Sequence, residues 1–241
     1  MNLELIKNNT HNNNIALFKN RSNQCTFYKK VSLTKNSNLF IENEKAGYSW
    51  YFNKIGLKDK TKLIKNPYYE IDIPNFKGKN FPHDYCFPNN KIFIQGVINL
   101  YKIIWNSNNK IVIHGDLALS NIFFYKQKII YIIDWEHFHL ADNIYYGFDI
   151  IHLLFINIYN RINQLSSKEI IFLQNCYGLL FNDVSQKNNI LSNPFTNAKK
   201  YINQYSHRFG SNIPIKQKFV LADFPIEKLV ILDKMITSQF S

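Results

Sequence analysis

No stretch of this sequence approaches the roughly 18 uninterrupted apolar residues that a membrane-spanning helix needs. Its first residues, MNLELIKNNT, also lack the basic and then apolar pattern of a secretory signal. A soluble, cytoplasmic protein is expected. Cysteine is scarce: Cys25, Cys86 and Cys176 are odd in number, far apart and never spaced C-x-x-C, which argues against a disulfide framework and against a zinc site. A reducing compartment fits this usage. Acidic residues are few, 17 against 29 lysines and arginines, for a formal net charge of +12. Those basic residues are spread through the chain with no cluster of the kind that marks a nucleic-acid patch, so no nucleic-acid partner is expected.

What is present suits a globular fold. The 241 residues are 46% hydrophobic and 19% charged, enough for a real core in one large domain or two lobes. Ile15 to Lys19 and Cys25 to Leu33 are β-favouring runs separated by the turn-forming Asn20 to Asn23, which predicts a hairpin. Thr61 to Ile73 adds one or two strands. Between them, Leu39, Ile41, Tyr48, Tyr51, Phe52 and Ile55 recur near helical spacing, with Ser37 or Asn38 to cap the start and Gly56 the end. Phe76 to Asn90, with Gly78, Pro82 and Pro88, is irregular and is expected to separate an N-terminal lobe, residues 1–75, from a C-terminal lobe, residues 76–241.

Ile92 to Trp105 predicts a helix, Lys110 to Ile113 a strand, and Ile122 to Tyr125 with Ile129 to Ile133 a hairpin around Lys126 to Lys128. The remainder reads as helices over Tyr146 to Asn163, Ser167 to Phe181, Thr196 to Phe209 and Pro225 to Gln239. Ser166 and Glu169 form a capping-box pattern ahead of the second. The fold class expected is α+β.

Set into this frame is the segment IHGDLALSN, Ile113 to Asn121, which holds three polar groups between apolar strands. Buried polar groups left without partners cost roughly 1 to 3 kcal/mol each, so these need either hydrogen bonds or a metal and substrate. The order His114, Asp116, Asn121, a hairpin, and then Asp134 supplies what phosphoryl transfer requires. One carboxylate positions and deprotonates an acceptor hydroxyl, and oxygen ligands from nearby segments hold magnesium on nucleotide phosphates. An antiparallel hairpin brings Asn121 and Asp134 to the same end of the ladder.

HGDLALSN followed by IIDWE resembles the catalytic loop and metal-binding motif of the aminoglycoside phosphotransferase and choline kinase group, small-molecule relatives of protein kinases. The resemblance implies a two-lobed kinase-like fold with a small strand-rich N-terminal lobe and a mainly helical C-terminal lobe. It further implies Asp116 as catalytic base, Asn121 and Asp134 as Mg2+ ligands, and ATP or GTP as phosphate donor. His114 would brace the loop. Asp149, in YGFDIIHLL, would hold it through hydrogen bonds. Gly115 stands where protein kinases usually carry an arginine, and no A-P-E motif follows, which favours a small-molecule hydroxyl acceptor over a protein.

In the N-terminal third the same resemblance implies a lysine on a strand paired with a glutamate on a helix, clamping the nucleotide. FYKKVS places Lys30 on the same face as Tyr28, with Lys29 the alternative. ENEKAGYSWYFN fits with Glu44, followed by Tyr48 and Tyr51, and Glu42 is the alternative. The turn KNNTHNNN has no glycine, so a glycine-rich phosphate loop is missing. The adenine hinge is expected near Tyr69 to Phe76.

Three rival readings remain: a catalytically inactive kinase fold that binds nucleotide, a two-metal phosphoesterase recruiting His137 and His139, and a nucleic-acid module. Filled catalytic positions speak against the first, the lack of a G-N-H-D-like run against the second, and the third rests on charge alone. The acids after Asp149, such as Glu169, Asp183, Asp223 and Glu227, are scattered. With the basic charge, this favours a neutral or anionic acceptor, a sugar or glycan precursor, over a polycation.

Overall fold

The computed structural model describes residues 3–7, 15–20, 27–76, 91–105, 110–125, 128–185, 193–208 and 226–238. The glycine-free turn at 8–14, the irregular segment at 77–90, Pro225 and Gly210 lie outside the described residues. The strands β1 (Leu3–Lys7), β2 (Ile15–Asn20), β3 (Phe27–Ser32), β4 (Lys62–Lys65) and β5 (Tyr69–Pro74) form one antiparallel sheet in the order β1-β2-β3-β5-β4. The expected hairpin is the β2–β3 pair, with Leu17 opposite Lys30. β1 was not expected from the sequence. It lies at the sheet edge, where Leu3, Leu5 and Ile6 are exposed, so no burial pattern marks it.

Helix α1 (Asn38–Lys54) packs on this sheet through Phe40, Ile41, Tyr48, Tyr51 and Phe52, all buried at helical spacing. Ser37 precedes the helix but makes no side-chain cap bond; Thr34 Oγ1 instead accepts from Ser37 N at 3.2 Å and caps the short 3-10 turn before it. Asn38 turns to the sheet, accepting from Tyr69 N at 3.0 Å. After the helix the chain turns at Gly56, in the left-handed region at φ +69°.

The rest of the chain is mainly helical. α2 (Lys91–Ile104) buries the stripe Ile94, Val97, Ile98, Tyr101 and Ile104. β6 (Lys110–Ile113) leads into the HGDLALSN segment, and β7 (Ile122–Tyr125) pairs antiparallel with β8 (Lys128–Ile132). β9 (His139–Asp142) pairs with β6, placing His139 opposite Ile113. The sequence was read as helical beyond Asp134, and β9 corrects that: its residues are half-buried or exposed by turns, so HLAD carries no apolar signal.

The helix expected over 146–163 is also broken. α3 (Phe148–Ile156) starts after Gly147, which holds φ +84°, and gives way to a 3-10 turn at Tyr159–Gln164. Asn157 Nδ2 donates to the Leu153 carbonyl at 2.7 Å, a side-chain bond that competes with helix continuation. α4 (Ser167–Ser185), α5 (Pro194–Arg208) and α6 (Ile226–Thr237) complete the bundle. Glu169 Oε2 accepts from Ser166 N at 2.8 Å at the start of α4, the return half of a capping box.

A ring cluster joins the sheet-bearing part to the helical part. Trp50, Trp105 and Trp135 meet with centroids 4.9, 5.7 and 6.0 Å apart, and His114 lies 4.4 Å from Trp135. Gly47, in the middle of α1, allows that approach, since a Cβ there would sit 2.4 Å from Trp135 Cβ. A mid-helix glycine costs about 1 kcal/mol against alanine, and here it lets α1 close onto the residue that follows Asp134.

Candidate active site

Three carboxylates converge on one buried amine. Lys30 Nζ lies 2.8 Å from Glu44 Oε2, 2.6 Å from Asp134 Oδ1 and 2.8 Å from Glu136 Oε1. Strand alternation aims Lys30 inward from β3. Lys29 points the other way and pairs with Glu70 at 2.5 Å and Asp72 at 3.1 Å. On α1 Glu44 faces the core, whereas Glu42 is half-buried, away from the core, and meets Lys65 at 2.6 Å. The geometry therefore separates both alternatives: Lys30 and Glu44 meet at this site, while Lys29 and Glu42 are engaged elsewhere.

Burial works against the charged amine, yet the Asp134, Glu136 and Glu44 carboxylates hold it protonated well above its ordinary range. Burial in turn pushes the Glu44 carboxyl up, and Lys30 offsets only part of that. Glu136 had no role in the sequence reading. The second acid of IIDWE was the only hint, and strand alternation does not place it, because Asp134 is left-handed and Glu136 lies in a turn. Its backbone carbonyl is also fixed, accepting from Asn43 Nδ2 at 3.0 Å.

Asp134 adopts φ +67°, left-handed for a non-glycine residue. Such a conformation costs on the order of 1–3 kcal/mol and persists where neighbours impose it. Both sides of it are pinned. Trp135 Nε1 donates to Ile132 O at 3.0 Å, and Ile133 N donates to Asn121 O at 2.9 Å.

The HGD loop hangs on Asp149. This carboxylate, fully buried at the start of α3, accepts from His114 N at 2.9 Å and from Gly115 N at 3.0 Å. Burial lifts it to about 6, while the two amides restrain the rise. Asp116 N donates to His114 Nδ1 at 3.3 Å, so that nitrogen carries the lone pair and Nε2–H donates to Ile133 O at 2.9 Å. Burial presses His114 down to about 4, which keeps it neutral in this bracing position.

Gly115 holds φ +86°, and a Cβ there would lie 2.5 Å from His137 Cβ, so only glycine fits. Asn121 Nδ2 donates to Asp116 O at 2.9 Å and lies 3.3 Å from Asp116 Oδ2. The Asp116 side chain is 15% exposed, and burial followed by the Asp134 charge raises its carboxyl to about 8. His152 on α3, absent from the sequence reading, donates from Nδ1 to Leu117 O at 3.3 Å and places Nε2 4.0 Å from Asp116 Oδ1.

A cleft of about 290 Å3 opens beside this cluster. Its charged end is Lys30, Glu44, Asp134 and Glu136, and its apolar end includes Leu17, Tyr28 and Phe123, with Pro74 to Phe76 along one side. Among the described residues, Glu44, Asp134 and Glu136 are the one group of three or more acids, histidines or cysteines close enough to share a metal ion. His137 is turned against Phe40, and His139 stacks on Tyr201 with centroids 5.4 Å apart.

No family model and no curated protein matches this sequence. Solved structures do match, across nearly the whole chain. An amicoumacin kinase in complex with AMP-PNP and Ca2+ superposes with a TM-score of 0.50 at 11% identity, covering 98% of this chain and 88% of its own. An aminoglycoside-3'-phosphotransferase of type VIII gives a TM-score of 0.51 at 10% identity, covering 97% and 93%. The chain thus has the two-lobed, α+β, protein-kinase-like fold of these two proteins. No helix among the described residues is long and apolar enough to cross a membrane.

Proposed function

We propose that this protein is a small-molecule kinase that transfers the γ-phosphate of ATP or GTP to a hydroxyl group of a small acceptor. The observation that carries the reading is the buried contact of Lys30 with Glu44 and Asp134, drawn from β3, α1 and the end of the β7–β8 hairpin. Burying ionisable groups costs several kcal/mol per ion before pairing, and a fold has little reason to assemble them beside an open cleft unless a ligand uses them. In this reading the base and sugar of the nucleotide lie along Pro74 to Phe76, which also marks the division between a lobe at 1–75 and one at 76–241. Lys30 meets the phosphates, and Glu44 holds Lys30 in place.

The hard oxygen donors suit Mg2+. Asp134 and Asn121 would hold it, with Glu136 within reach, and when bound it would neutralise charge developing on the phosphates. Asp116 orients the acceptor hydroxyl and takes its proton on the carboxylate. Its raised proton affinity suits a base, and Asn121 Nδ2 fixes its rotamer. Asp149 and His114 keep the loop in register. The acceptor is a neutral or anionic molecule, a sugar or glycan precursor. A two-metal phosphoesterase is disfavoured because His114 is committed to Ile133 O and His139 to Tyr201, away from the three acids.

The test is nucleotide turnover by purified protein with Mg2+ and a panel of sugars, amino alcohols and aminoglycosides. Turnover is expected with wild type and should fall at least about 100-fold in Asp116→Asn and in Asp134→Asn. Retention of wild-type turnover by both variants would exclude the reading. Nucleotide binding without turnover would mark an inactive kinase fold.

A further inference from the structure

Away from the nucleotide cleft, a second pocket of about 260 Å3 lies between β9, the 3-10 turn at Asn143–Tyr145 and α5. Its floor is the buried pair Tyr145 and Tyr201, 6% and 3% exposed, and its open rim carries Asp142 and Gln204. Hydrogen-bond directions around it are constrained. His139 Nδ1 faces the His137 carbonyl at 3.1 Å and so donates, which leaves Nε2 to accept from the Tyr201 hydroxyl at 2.9 Å. The Tyr145 hydroxyl donates to Gln204 Oε1 at 2.6 Å. The Tyr145 phenolic oxygen then presents lone pairs, the Gln204 amide presents N–H donors, and Asp142, close enough for its charge to act on the Tyr145 hydroxyl, adds a carboxylate.

Ring faces are not on offer. Tyr201 is covered by His139 on a nearly parallel ring at 5.4 Å and by Phe148 at 4.2 Å, and Tyr145 meets Tyr201 edge to face at 5.3 Å. A quaternary ammonium ion is recognised by open aromatic faces, and an anion by a lysine or arginine; the described lining supplies neither. What remains is a set of mixed donors and acceptors in a space just below drug-pocket size. We propose that this pocket binds a small, uncharged polyhydroxylated molecule of monosaccharide scale, held by Asp142, Gln204 and the Tyr145 hydroxyl. The inference stands on these residues and does not depend on the reading of the cleft.

The pocket also bears on the loop. Tyr201 packs on Phe148, whose neighbour Asp149 holds the HGD amides, so a bound molecule rests against the element that carries the loop. Saturation-transfer NMR on the full chain with glucose, mannose, N-acetylglucosamine and myo-inositol provides the test. At least one is expected to bind, and to bind at least tenfold more weakly to Asp142→Ala and to Tyr145→Phe. The second change keeps the packed ring, and unchanged melting temperature and AMP-PNP binding would show both variants intact. No binding by any probe, equal binding by wild type and both variants, or displacement by tetramethylammonium would overturn the proposal. AMP-PNP binding is scored separately, so a failed pocket and a failed cleft are told apart. A bound sugar that drives ATP consumption is the acceptor itself; one that does not is a separate ligand of the same chemistry.

Discussion

Replacing Asp149 with asparagine removes the one charged acceptor shared by two buried loop amides. In the wild type both bonds go to a carboxylate, at 2.9 and 3.0 Å, in a fully buried position. Hydrogen bonds to a charged group contribute about 1.5–3 kcal/mol each, and a neutral one about 1 kcal/mol. Asparagine keeps one carbonyl oxygen for one amide and turns an NH2 donor toward the other, so the expected loss is about 3 kcal/mol. Alanine leaves both amides without an acceptor, and its loss is about 4 kcal/mol. With a urea slope of about 3 kcal/mol/M, Asp149→Asn should lower the unfolding midpoint by about 1 M with little change in slope. Phosphotransfer, measured where the variant is still folded, should fall about 100-fold, because a shift of about 1 Å in Asp116 misplaces the acceptor. A midpoint within about 0.2 M of wild type would refute the argument, since it would mean that the His114 and Gly115 amides find other acceptors.

Three further outcomes follow from the same geometry. Gly115→Ala forces a left-handed alanine and a 2.5 Å approach to His137 Cβ, and should destabilise by about 2 kcal/mol or more in the same urea titration; a neutral effect would contradict the turn as described. Lys30→Met leaves three carboxylates facing one another and should cost about 3 kcal/mol at pH 8. Most of that should be recovered at pH 5 as the acids take up protons, and a loss independent of pH would refute the charge account. Nucleotide-free protein should also lose melting temperature as pH rises from about 6.5 to 8. Asp116 and Glu44 keep protons to about 8 when folded but only to the ordinary carboxylate range when unfolded, which weakens the fold progressively up to that pH. His114 and His152, pressed from 6.5 to about 4, act in the opposite sense below 6.5 and not above it. Asp116→Asn should flatten the decline, and a melting temperature that climbs through the window would count against these shifts.

Legibility of the site in the sequence tracked how local each signal was. HGDLALSN and IIDWE are short runs whose polar residues stand at fixed offsets across one hairpin, so order and spacing alone brought them to one end of the ladder. The Lys30 and Glu44 pair came from the family resemblance, and periodicity only narrowed the choice, strand alternation for one and helical spacing ahead of Tyr48 and Tyr51 for the other. Elements with mixed exposure were not: β1 and β9 lie at sheet edges, where alternation has no buried face to record. Asn157 broke a helix through a side-chain bond that no apolar pattern predicts. The Tyr145–Gln204 and His139–Tyr201 contacts join residues about sixty positions apart, and only the packing of α5 on β9 and α3 brings them together.

The tryptophan cluster gives the protein a built-in optical probe. All three tryptophans of the chain, Trp50, Trp105 and Trp135, lie within one cluster, so indole emission comes from a single place. That place adjoins the site: Trp135 follows Asp134 directly and lies against His114. A cation or nucleotide that shifts Asp134 must move the neighbouring indole, and coupling among indoles 5 to 6 Å apart spreads that change over the whole signal. Occupancy of the cleft can therefore be followed in the unlabelled, unsubstituted protein, with the donor and the metal titrated independently.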